Sequence, residues 1–217
     1  MTPPQPQPFA VQVAAGCPGH LDIALALAAE FREIDVDEID AQVDLVALEL
    51  ADAASCDAHG QLEAVATAMR AFTVVETHVG VRDILVDDVL ATCEGSPLAL
   101  APIAVEAAHR AGILVGIIGD GTRHLIAHCE LEDPVALDFG CPRRPPRIEA
   151  VDERSLSWRC AHQLAFATLA ELIERGTRGG DMPLALKAAD LRLDLPLTDE
   201  SRRAQQGALD RLRAVLN

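Results

Sequence analysis

The chain has 217 residues, half of them hydrophobic but only 3% aromatic, with no Tyr and a single Trp, Trp158. Its core must be built from Ala, Leu, Val and Ile, and so few rings argue against a stacking platform for single-stranded nucleic acid. A net charge of −16 repels phosphate backbones, and no apolar run approaches the length of a membrane span, so neither nucleic acid nor membrane is expected as a partner.

The charge is uneven. Residues 1–142 hold 5 Lys/Arg against 23 Asp/Glu, whereas residues 143–217 hold 13 against 11, so the last third differs in character from the body. Six cysteines (Cys17, Cys56, Cys93, Cys129, Cys141, Cys160) stand without a CxxC pair behind a start that lacks a secretory pattern. Reduced thiols and a cytoplasmic location are the expectation.

In chain order, residues 1–8 (MTPPQPQP) are Pro/Gln-rich and predicted to be disordered. Phe9–Ala15 is a short apolar stretch, closed by Gly16 and Pro18-Gly19, and Asp22–Phe31 is rich in helix formers. Ile34, Ile39, Val43, Val46 and Leu50, with acids between them, predict an amphipathic helix over 34–54. Helices are further predicted over 61–77 and 83–92. Gly95-Ser96-Pro97 then signals a helix start, with Ser as N-cap and Pro in the first position. That helix should stop before Gly112, and Pro102 inside it predicts either a kink or a loose first turn with the regular helix opening at 102.

Beyond Gly112 the period changes. Residues 113–118 (ILVGII), 124–129 (HLIAHC) and 135–139 (VALDF) read as three short strands. Residues 143–154 are predicted to be a breaker-rich linker and 155–217 a helical region, with helices near 155–175, 182–193 and 201–216.

The sequence Gly95-Ser96-Pro97-Leu98, followed by Ala111-Gly112-Ile113, then His124-Leu125, then Leu137-Asp138-Phe139, resembles the SirB1 family of transglutaminase-like proteins. The acidic helical stretch over 28–53 and the C-terminal helices are similar to the opening and the tail of that family. The resemblance implies an α+β fold: a transglutaminase-like (papain-like) core with a small mixed or antiparallel sheet over residues 9–142, a helical N-terminal region and a helical C-terminal appendage. It also departs from the family pattern, with Arg123 before His124, Phe139-Gly140 after Asp138, and Thr92-Cys93-Glu94 before Gly95.

A cysteine hydrolase of this type needs a Cys at a helix N-terminus, where the dipole lowers its pKa, a His to take the proton and an Asp to orient the His. By the resemblance His124 and Asp138 match the base and the orienting acid, and the nucleophile position is Pro97, which has none. A non-catalytic, regulatory or accessory module that binds a protein or peptide is therefore the expected function, with Ser96, Pro97 and Arg123 as binding positions. His124 and Asp138 could instead be a structural hydrogen-bonded pair between strands, and the Ser96 hydroxyl is expected to be occupied as a helix cap.

The alternative is a cysteine-dependent acyl-transfer enzyme (peptidase, amidase or transglutaminase type) with Cys93, four residues before Pro97, as a relocated nucleophile. A metal-assisted hydrolase built on His124 and His128 is a further alternative. Cys17-x-x-His20, Cys56-x-x-His59 and Cys160-x-His162 have spacings a metal could use, but nothing in the sequence ties them together. No metal or other cofactor is expected. Arg143, Arg144 and Arg147 form a basic run that is expected to be solvated or paired with the acidic body.

Overall fold

The computed structural model describes residues 6–75, 80–120, 123–130, 135–140, 144–152 and 157–215. Helix α1 (Phe9–Ala14) starts at Pro8, whose carbonyl accepts the Val11 and Gln12 N–H groups at 2.9 and 3.1 Å. Pro8 thus belongs to the fold, while most of the stretch predicted to be disordered, residues 1–5, lies outside the described residues. Helices α2 (His20–Phe31) and α3 (Val36–Glu49) follow. Asp35 caps α3, its carboxylate accepting the Glu38 N–H at 3.1 Å. The single helix predicted over 34–54 is in fact α3 and a separate 3-10 turn at Ala51–Ser55.

Helix α4 (Ala58–Ala68), capped by Asp57, is shorter than predicted. The chain leaves it through a 3-10 turn and enters a two-residue strand β1 (Thr73–Val74), which pairs in parallel with β2 (Glu94–Gly95). Thr73 and Val74 are β-branched and a partner twenty residues away satisfies their backbone, so tertiary pairing overrides the helical pattern. Between them lies α5 (Val86–Thr92).

Helix α6 (Pro97–Arg110) is the central element, with nine of its residues buried. It runs unbroken through Pro102, which removes the alternative of a helix opening at 102. The missing N–H of Pro102 leaves the Leu98 carbonyl without its i+4 donor. Gly112, at φ +80°, ends the helix as predicted.

The chain then forms consecutive antiparallel strands β3 (Val115–Asp120), β4 (Arg123–His128) and β5 (Val135–Asp138). Two further strands were not expected. β6 (Arg147–Ala150) lies inside the predicted linker and pairs with β5, and β7 (Ser157–Trp158) lies inside a predicted helix and pairs with β3. Both are edge strands of a five-stranded sheet ordered β6-β5-β4-β3-β7. Their pairing is long-range and their own sequences carry no apolar alternation, so local pattern could not reveal them.

One face of the sheet presents Val115, Ile117, Ile126 and Leu137 to the helices, where they join the main core with residues of α1 to α6. The other carries a smaller cluster of Ile118, Leu125, Ala127 and Ala136. Helix α7 (Ala161–Gly179) adds Ala161, Leu164, Ala165, Leu169 and Leu172 to that same main core. The expected boundary near residue 142 is therefore crossed by two strands of the sheet and by α7, and α7 is no appendage. Helices α8 (Met182–Leu191) and α9 (Asp199–Val215) complete the chain, α8 packing on α7 and α9 on α8. No helix among the described residues is long and apolar enough to cross a membrane.

A buried ion pair fixes α7 to the loop before α5. Arg175 gives Nη1 to Asp83 Oδ1 at 2.5 Å and Nη2 to Asp83 Oδ2 at 3.0 Å, and its Nε reaches Glu171 at 2.7 Å. The Asp83 carbonyl in turn accepts the Ser96 N–H at 2.7 Å. α7 and the start of α6 are thereby held across a gap.

Candidate functional site

That gap is a cavity of about 950 Å³. Ser96 and Pro97 reach it from the start of α6, Arg123 and His124 from the start of β4, and Asp138 from the end of β5. These are five of the six residues singled out in the sequence, brought together from three elements. Facing them are α7, through Phe166, Ala167 and Ala170, and the segment after α8, through Leu195, Pro196 and Leu197. The site thus has a polar side built on the sheet and an apolar side built on the C-terminal helices.

Cys93, the sixth, is not in this lining. It ends α5 in the left-handed region at φ +55°, is exposed, and directs its Sγ to the Leu90 carbonyl at 3.9 Å. No described cysteine lines the cavity.

The Ser96 hydroxyl does not act as the expected cap. Its Oγ is buried and has no hydrogen-bond partner among the described residues; the Ala99 N–H that a cap would receive goes to Ser96's own carbonyl at 3.0 Å. His124 and Asp138 do not form the expected pair either. The β4–β5 register sets Ile126 opposite Leu137, so continuing it sets His124 opposite Phe139 and Asp138 opposite Leu125. Neighbouring positions of a strand point to opposite faces, which leaves the imidazole on the helix-facing side and the carboxylate on the other. Asp138 instead accepts the Gly140 N–H at 2.8 Å and stands 3.6 Å from Arg123, which pairs with Glu149 at 2.5 Å.

His124 Nδ1 is buried without a hydrogen-bond partner among the described residues. Burial first, and the neighbouring Arg159 cation second, hold its pKa below the usual histidine value. Both effects favour the neutral ring, the form a general base needs, but among the described residues it has neither a thiol nor an orienting carboxylate.

The His124–His128 pair is also unsuited to a shared metal. Four residues along a strand separate them by about 13 Å, and both His128 nitrogens are engaged, Nε2 with Gln61 Oε1 at 2.8 Å and Nδ1 with the Glu130 N–H at 3.1 Å. His20 and His162, from the other candidate spacings, hydrogen-bond the carbonyls of Arg159 and Val13 at 2.9 and 3.0 Å. Among the described residues no cluster of three or more His, Cys, Asp or Glu could hold a metal ion. Of the basic run, Arg147 pairs with Glu149 at 3.0 Å, and Arg143 lies outside the described residues.

Sequence reasoning missed Arg159 and the whole apolar wall. Arg159 follows the unforeseen strand β7, so its position depends on a pairing that no local signal announced. Phe166 sits mid-helix in what reads as a separate helical region, and its ring carries the Arg192 guanidinium at 3.9 Å. No family model, curated protein or solved structure matches this chain.

Proposed function

We propose that the protein is a non-catalytic binding module of transglutaminase-like type, with a regulatory or accessory role, which takes a segment of a protein or peptide into the cavity between α6, the sheet and α7. One observation carries this reading. The cavity gathers Ser96, Pro97, Arg123, His124 and Asp138, yet the position that should bear a nucleophile is a proline and the histidine lacks its orienting acid. What supports the transglutaminase-like class is the chain order: a helix opened by Ser-Pro, then three consecutive antiparallel strands, with a histidine on the second facing the helix. The volume is of the size that encloses small ligands or a few residues of chain.

Alkylation by iodoacetamide tests it against the acyl-transfer alternative. The module reading expects no cysteine to react in a His124-dependent way. One cysteine labelled far faster than the rest, at a rate that falls in H124A, would restore the enzyme reading.

A further inference from the structure

The polar side of the cavity holds a cation, Arg159, that makes no ion pair among the described residues. Arg159 is pinned through its backbone, its N–H donating to the Ile117 carbonyl at 2.8 Å and its carbonyl accepting from His20 Nε2 at 2.9 Å. From there its side chain crosses β3 over Gly119, where an added Cβ would lie 2.0 Å from Arg159 Nε. Gly119 is the cross-strand partner of His124, and directly paired residues share a face. Guanidinium and imidazole therefore lie together on the helix-facing side.

Among the described residues, three buried polar atoms in this lining have no hydrogen-bond partner: Arg159 Nε, His124 Nδ1 and Ser96 Oγ. The acids of the lining, by contrast, are engaged. Asp138 binds Gly140 and faces Arg123, Glu171 binds Arg175, and Glu174 binds Arg178. In a chain with 34 acids and 18 bases, a half-buried arginine with no carboxylate partner among the described residues is out of keeping. Buried donors are normally satisfied, and the guanidinium fork fits a carboxylate with two parallel hydrogen bonds.

We infer that the cavity binds the C-terminal carboxylate of a peptide whose last side chain is apolar, with Arg159 as the anchor. The carboxylate lies at Arg159 beside Ser96 and His124, and the side chain packs against Phe166, Leu195, Pro196 and Leu197. A peptide fits better than a simple alkyl carboxylate because hydrogen-bonding groups continue along the wall. Gln163 lines the cavity with its Oε1 taken by the Cys160 N–H at 3.1 Å, which leaves its side-chain N–H groups to water or to a ligand carbonyl. A peptide backbone carries donors and acceptors that the exposed Gln163 amide and the other polar groups of the lining can bind, whereas a hydrocarbon chain carries none. This inference rests on the cavity being a binding site for a peptide segment.

The test uses the full chain, immobilised, and two synthetic pools of random acetylated hexapeptides that differ only in ending as free acid or as amide. Retained peptides are read by mass spectrometry, with dodecanoate titrated separately by calorimetry. The acid pool is expected to be retained about tenfold or more over the amide pool, enriched in apolar last residues, and R159Q is expected to abolish the difference.

Equal retention of acid and amide overturns the carboxylate anchor while leaving peptide binding intact. Retention of neither pool overturns both readings. Arg159-dependent binding of dodecanoate without peptide retention overturns the peptide assignment. Should R159Q lose its fold, S96A and R159K decide. S96A removes an unpartnered hydroxyl, R159K removes the fork but keeps the charge, and each is expected to weaken acid-pool retention several-fold. Unchanged retention in both contradicts the inference.

Discussion

Replacing Arg175 with Met removes one half of the ion pair that holds the two walls of the cavity together. Arg175 is 3% exposed and Asp83 4%, so neither charge has water to fall back on. Arg175 satisfies both oxygens of Asp83, at 2.5 and 3.0 Å. R175M leaves the Asp83 carboxylate buried opposite a thioether, the situation in which loss of one partner costs about 3–5 kcal/mol. The loop that carries Asp83 also receives the Ser96 N–H, so the start of α6 should loosen with it.

The double variant D83L/R175M removes both members of the buried pair and leaves only Glu171, whose side chain is 35% exposed, without its arginine, and exchange of a buried pair for apolar groups is often neutral or stabilising. It should therefore recover most of the loss, giving a large coupling energy in a double-mutant cycle. Urea unfolding by linear extrapolation measures each stability. An R175M cost below about 1 kcal/mol would refute the reasoning, since a pair that cheap to break is not a desolvated one. A double variant no more stable than R175M would likewise show that Asp83 matters for something other than its charge.

Burial keeps both His124 and His20 below the usual histidine pKa, with Arg159 adding to the effect at His124. The unfolded chain then binds more protons as pH falls below about 6.5, so stability should drop from pH 7 to 5.5 and the drop should shrink in H20Q/H124Q. Unfolding free energies that rise on acidification across that window contradict this. G119A should keep the fold to within about 1 kcal/mol but displace the Arg159 side chain from beside His124. The His124 pKa, followed by NMR titration, is then expected to rise, and an unchanged value would mean that the two groups are not neighbours. C93G should stabilise by about 1 kcal/mol because Cys93 holds a left-handed conformation that glycine adopts freely, and a destabilised C93G would give that thiol a role of its own. Cys129 should be the slowest of the five described cysteines to alkylate, since burial and Glu130 push its pKa up, and fast labelling there counts against the assignment.

Much of the helical framework was legible because its signals are local. Gly95-Ser96-Pro97 marks the start of α6 and Gly112 its end, and each acts within a turn of its own position. The three central strands were legible as short apolar stretches set off by turn residues, the first of them a β-branched run. What escaped depends on distant partners: β1 and β2 pair across twenty residues, and β6 and β7 are strands only because β5 and β3 offer them an edge.

The candidate site divides the same way. Ser96, Pro97, Arg123, His124 and Asp138 were singled out through the resemblance, and all five line one cavity. The facing of His124 away from Asp138 was not legible, because one residue of register turns a side chain to the other face of a sheet. Arg159 was invisible for the same reason as β7. The apolar wall was invisible because α7 reads as part of a separate region until it is seen in the common core.

The central claim is that this cavity binds chain without cleaving or modifying it. The most direct measurement is an intact-mass balance on the free-acid hexapeptide pool after prolonged incubation with the wild-type protein. The expected result is that retained peptides elute unchanged and the protein mass is unaltered. Peptides shortened by hydrolysis, or an acyl adduct on the protein that disappears in H124A, would contradict the account.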